Sequence, residues 1–186
     1  MRHIPNILSA FRILLVPLLA WLMLEEHYYQ AAAVLVLSGL TDLLDGFLAR
    51  RFGWITNLGK VLDPAADKLT QVTVYLLLAF KLPRYWYFFA LLLGKDLVML
   101  VLGGWLLKRK VKIEGARWFG KIVTILFYVI SVLLIFFPNL PSWATISLLA
   151  LITVLALVAG LLYIPQFLQY RRQAKQPDDA PATPDE

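Results

Sequence analysis

The chain contains no cysteine. Disulfides and cysteine-ligated metal centres are therefore excluded. It has two histidines, His3 and His27, too far apart in sequence to form a histidine cluster. Charge is scarce as well. Of 186 residues, 16% are Asp, Glu, Lys or Arg, against 60% hydrophobic. Soluble domains of this size are not composed that way. There is no internal repeat and no Gly-rich phosphate loop of the P-loop or dinucleotide type. The net charge of +6 lies on an apolar chain, so it reports on topology and gives no indication of nucleic-acid binding.

What the chain does have is a succession of apolar runs long enough to cross a bilayer. Six helical spans are expected, at about 7–24, 30–50, 59–80, 85–107, 117–137 and 142–168. Pro17 and Pro64 are expected to kink or loosen the first and third. Asn6, Ser9 and Arg12 interrupt the first apolar run and no clear cleavage site follows it, so the first span is read as retained. Of the 18 Lys and Arg, all but Lys81, Arg84 and the mid-span Lys95 fall on one side. The positive-inside rule makes that side the cytoplasm and puts both termini there. Residues 1–172 form one membrane domain. The tail from 173, ending "QPDDAPATPDE", is Pro-rich and acidic and is expected to be disordered.

The most informative stretch is 41–68, "TDLLDGFLARRFGWITNLGKVLDPAADK". Asp42, Asp45, Gly46 and Ala49 share one helical face, and Gly59, Asp63 and Asp67 share another. The connection between the two helices is short, so they are expected to be antiparallel neighbours whose acidic faces meet. Facing carboxylates repel in a low-dielectric site. One resolution is an interfacial charge cluster with Arg50, Arg51, Lys60 and Lys68. Another is a divalent cation or two. Oxygen ligands without Cys or clustered His suit Mg²⁺ or Mn²⁺, which would leave room for substrate phosphate, with a free carboxylate as general base. A proton or cation pathway is a third reading, and it calls for acids at successive depths on several spans.

The pattern Asp42-x2-Asp45-Gly46-x2-Ala49-Arg50-x8-Gly59-x3-Asp63-x3-Asp67 resembles the signature of the CDP-alcohol phosphatidyltransferase family at all eight fixed positions. "IPNILSAFRI", "LGKVLDPAADKL" and "FGKIVT" resemble elements of its phosphatidylglycerophosphate synthase and cardiolipin synthase branches. The resemblance implies a six-helix membrane fold, often a homodimer, around a polar cavity facing the cytoplasm. It implies displacement of CMP from a CDP-linked donor by an alcohol. By position, Asp42, Asp45, Asp63 and Asp67 would line a two-metal site and Asp67 would be the base. Asp42, Gly46, Ala49, Arg50 and Gly59 would receive the cytidine diphosphate part. Two elements depart from these branches: Lys95-Asp96 stands where Arg-Glu or Arg-Asp is frequent, and the usual Gln after Thr124 is missing.

The donor expected from this resemblance is CDP-diacylglycerol, with its acyl chains left in membrane lipid. The acceptor expected is sn-glycerol 3-phosphate, a small dianion that needs a basic pocket. Arg117 and Lys121, at i and i+4, can supply one with help from Lys95. The same residues also suit anchoring to lipid phosphates, and Lys95 also suits pairing with Asp96. Asn6 and Arg12 suit either donor-phosphate contacts or capping and snorkelling at the interface. Phosphatidylglycerol, giving cardiolipin, is the alternative acceptor. A non-enzymatic cation transporter is the alternative of a different class. The setting implied is a bacterial-type cytoplasmic membrane.

Overall fold

The computed structural model describes residues 4–52, 54, 59–108 and 118–173. Among them are six α-helices, and the expected spans match these within a few residues. They are α1 (Ile4–Leu24), α2 (Tyr28–Phe52), α3 (Gly59–Lys81), α4 (Trp86–Lys108), α5 (Trp118–Phe136) and α6 (Ser142–Gln173). No strand occurs among the described residues. Pro17 and Pro64 sit inside α1 and α3 without ending them. The expected tail beyond 173 lies outside the described residues.

Four segments are long and apolar enough to cross a membrane: Asn6–Leu24, Tyr28–Leu48, Pro83–Leu102 and Ser142–Leu162. α3 lacks such a segment because Lys60, Asp63, Asp67 and Lys68 occupy its first half. The apolar part of α5, Ile122–Phe136, is shorter. The helix exteriors carry Leu14, Trp21, Leu40, Phe80, Val101 and Leu161, all more than half exposed. In water such a surface would aggregate, whereas in a bilayer it faces acyl chains. The apolar helices mark a membrane protein.

The turn between α1 and α2 is closed by the backbone. His27 N–H donates to Leu22 O at 2.8 Å and Glu26 N–H to Met23 O at 3.3 Å. This is a Schellman ending, with Glu26 in the left-handed position at φ 60°, where glycine is usual. The side chains follow the same bend, with the His27 ring edge-on to Trp21 at 6.4 Å. Between α3 and α4 the chain turns through Leu82 and a 3-10 turn at Pro83–Tyr85.

The helices pack in a ring, in the order α2, α1, α3, α4, α6, α5 and back to α2, with α3 also touching α5. α1 makes the most extensive contacts, with α2 on one side and α3 on the other. The short α2–α3 connection does not make those helices broad neighbours, because α1 lies between them. The interior is divided by polarity. Leu19, Leu35, Leu78, Phe89, Ile135 and Leu149 fill the end that carries the α1–α2, α3–α4 and α5–α6 turns. Buried Ser9, Arg12, Thr41, Asp45, Thr70 and Gln71 lie toward the opposite end. At the apolar end, Lys81 Nζ donates to Leu134 O at 3.2 Å and Ile135 O at 3.0 Å, and sits 3.7 Å over the Tyr28 ring. One ammonium thus ties α3 to the last turn of α5, whose carbonyls attract a cation, and to α2 through a cation–π contact.

Candidate functional site

Three helices build the polar end. α2 presents Asp42 and Asp45 on one face. α3 presents Asp63 and Asp67 on one face. α1 enters between them with Ser9 and Arg12, three residues apart and so on the same side of the helix. Arg12 Nη1 is 2.7 Å from Asp42 Oδ1 and 3.1 Å from Asp67 Oδ1. Nη2 contacts Asp45 Oδ2. The Ser9 hydroxyl donates to Asp63 Oδ1 and lies 3.4 Å from Asp45 Oδ2. All four motif aspartates are therefore joined through α1. Asp42 and Asp67 also come within hydrogen-bonding reach of each other.

Arg12 is fully buried, its side chain 0% exposed, and Asp45 is nearly so at 4%. Asp42 and Asp67 keep 26% and 30% exposure. The cluster thus has a closed side at Asp45 and an open side at Asp42 and Asp67. A buried arginine survives only with compensating charge, and here its planar fork takes several carboxylates at once. The Nε hydrogen, by contrast, makes no hydrogen bond. Arg12 is the residue that sequence reasoning underrated. Its signal was a cation eight residues into an apolar helix, which requires a buried partner if it does not snorkel.

The cluster's formal charges do not cancel. One guanidinium faces four carboxylates. The excess negative charge and the all-oxygen donor set fit hard divalent cations such as Mg²⁺ or Mn²⁺. Among the described residues, however, the acids do not gather three at a time around a common ligand centre. They are arranged around the guanidinium and the hydroxyl.

Gly46 is part-buried on α2, and Gly59 is buried at the start of α3. Ala49 and Arg50 lie on the last turns of α2, but their side chains are outside the described set. So is that of Lys121 on α5, and Arg117 lies outside the described residues altogether. Lys95 belongs to a second charge cluster. Its Nζ is 2.6 Å from Asp96 Oδ1, and Lys68 Nζ is 3.1 Å from the same oxygen. Lys68 also donates to Gln71 Oε1 at 2.9 Å. Asp96 is buried, at 5% exposure, so two ammonium groups share one carboxylate and leave a net positive charge beside Asp67. Gly160 on α6 leaves room for the Lys95 stem, since a Cβ there would meet Lys95 Cγ at 3.5 Å.

A bundle that is apolar outside and carries carboxylates and cations inside, at one end, is a membrane-embedded polar site. The chain belongs to the CDP-alcohol phosphatidyltransferase family, which residues 2–164 match. It is 34% identical over 178 residues to the CDP-diacylglycerol–glycerol-3-phosphate 3-phosphatidyltransferase of Aquifex aeolicus, covering 90% of this chain and 93% of that one. The Escherichia coli K12 protein of the same name is 30% identical over 169 residues, 87% of this chain and 93% of its own. The cardiolipin synthase (CMP-forming) of Streptomyces coelicolor is 37% identical over 139 residues, 71% and 65% respectively.

Proposed function

We propose that this protein transfers a phosphatidyl group from CDP-diacylglycerol to sn-glycerol 3-phosphate, releasing CMP. The observation that carries the reading is the convergence of Asp42, Asp45, Asp63 and Asp67 on Arg12 and Ser9. In this reading all six helices cross the cytoplasmic membrane, both termini are cytoplasmic, and the carboxylate end opens to the cytoplasm. The protein acts there as a homodimer.

The four aspartates would hold Mg²⁺ or Mn²⁺, two ions. Bound there, the ions supply positive charge to the donor diphosphate and the departing CMP. Gly46, Ala49, Arg50 and Gly59, with Asp42, receive the cytidine diphosphate part. Asp67 accepts the proton of the acceptor hydroxyl as its oxygen attacks the lipid-linked phosphorus and the bond to CMP breaks. Its partial exposure, against the closed position of Asp45, supports that assignment. Lys95, Arg117 and Lys121 receive the acceptor phosphate. The net positive charge of Lys68, Lys95 and Asp96 favours an acceptor with a free phosphate over one without.

The test is CMP release from CDP-diacylglycerol by purified protein with Mn²⁺ or Mg²⁺ and one acceptor at a time. Release with glycerol 3-phosphate alone is the expected result. Release only with phosphatidylglycerol would overturn the acceptor in favour of cardiolipin synthesis, the activity named for the Streptomyces relative. No release with any acceptor, together with cation flux in vesicles, would remove the protein from the enzyme class.

A further inference from the structure

An apolar groove of about 280 Å³ runs between α2 and α5. Leu35, Gly39 and Leu43 form part of one wall, and Ile125, Val129 and Leu133 part of the other. From Leu35 to Leu43 it extends roughly 12 Å at the helical rise. Asp42 also lines it, and this is the carboxylate 2.7 Å from Arg12. The groove therefore leads from the apolar flank of the bundle into the carboxylate cluster.

Two residues shape its inner side. Gly39 leaves space that any side chain would take, since a Cβ there would meet Tyr128 Cδ1 at 3.3 Å. Tyr128 also lines the groove and is 9% exposed. Its hydroxyl is shut off from solvent and makes no hydrogen bond of good geometry. The Ser38 hydroxyl beside it, equally buried, makes none either. The charges that reach the phenol are those of Asp67, Asp42 and Arg12, so it stands where groove and cluster join. A buried donor left without an acceptor costs stability, which a bound acceptor would recover.

We propose that this groove takes one acyl chain of the donor lipid, with the Tyr128 hydroxyl donating to the ester carbonyl of that chain. The occupant follows from polarity. A partner helix laid in the groove would press apolar side chains against Asp42 and offer Tyr128 nothing. A lipid with a charged head is apolar along the groove, carries a carbonyl acceptor near its head, and is polar at the end where the cluster lies. The inference rests on the reading of the donor as CDP-linked diacylglycerol. It makes Tyr128 a positioning residue and Gly39 a determinant of chain fit.

Leu40 and Val129 line the groove and are about half exposed, so Leu40→Trp and Val129→Trp fill it from outside with little disturbance to the core. Each is expected to lower the ratio of kcat/KM for a dioleoyl over a dihexanoyl donor by about tenfold. Tyr128→Phe is expected to raise the donor KM by about fivefold without moving the KM for glycerol 3-phosphate. A CDP-diacylglycerol with a photoreactive acyl chain should label residues 35–43 or 124–133. Excess CDP-diacylglycerol should suppress that label and phosphatidylcholine should not. Unchanged chain-length ratios in both tryptophan variants, or equal suppression by phosphatidylcholine, would overturn the groove assignment. Selective labelling without CMP release from any acceptor supports the groove and removes the transferase reading. CMP release with no label there does the reverse.

Discussion

At the residue scale the site turns on Arg12. It holds three carboxylates from two helices while fully buried. Removing one partner of a buried ionic network leaves the others facing uncompensated charge, at a cost of about 3–5 kcal/mol. Arg12→Gln should therefore lower the unfolding midpoint in detergent by many degrees, and added Mn²⁺ should raise it more in the variant than in the parent. Equal responses to Mn²⁺ would show that the guanidinium and the cation do not share the carboxylates. Asp67→Asn keeps the size of the side chain and loses its proton-accepting capacity. It is expected to cut CMP release by about 100-fold or more while the folded fraction stays the same, and near-normal turnover would take Asp67 out of the base role. The aspartates were legible in the sequence because acids amid leucines are costly. Arg12 was less so, because an arginine near the start of an apolar span also suits snorkelling. Ser9 gave even less signal, since a small hydroxyl is common in membrane helices. Only the fold shows that it contacts Asp63 and Asp45.

At the scale of the element, helix limits were readable because polar punctuation is sharp in an apolar chain. Glu25 and Glu26 end α1, and "PNLP" separates α5 from α6. The neighbour relations were less readable. The short α2–α3 connection suggested direct contact, but α1 is joined to α2 by a turn at least as short and takes the intervening position. Its buried cation also relieves the repulsion that direct contact between two acidic faces would create. The α1–α2 turn carries its own prediction. Glu26 occupies a left-handed position that glycine adopts without strain. Glu26→Gly should stabilise the protein by about 1 kcal/mol, seen as a higher unfolding midpoint with unchanged turnover. A lower midpoint would mean that the glutamate side chain contributes more than its backbone strain costs.

At the scale of the whole molecule, helix number and the location of the polar end follow from hydropathy and from where the acids sit. The ring order does not. α4 and α6 are apolar on every side, so no stripe says which face meets which neighbour. α3 is the exception, since its charges fill the first half and leave the second half to the core, as the structure has it. Long-range pairs such as Lys68 with Asp96 were out of reach for the same reason, because each had several partners of opposite charge along the chain.

The Lys81 contacts have a mechanical consequence. They fasten α3, α5 and α2 at the end remote from the carboxylates, so the bundle behaves like tongs with a fixed pivot. Any spreading that admits a bulky head group falls at the jaws, where α2 and α3 carry their acids. The chain has no native cysteine, so spin labels placed on introduced cysteines report without background. Adding donor should change the separation of a label pair on α2 and α5 at the jaw end and leave a pair beside Lys81 unchanged. Lys81→Met should free the second pair to move as well. If the pair beside Lys81 already moves in the parent protein, that ammonium is not the pivot.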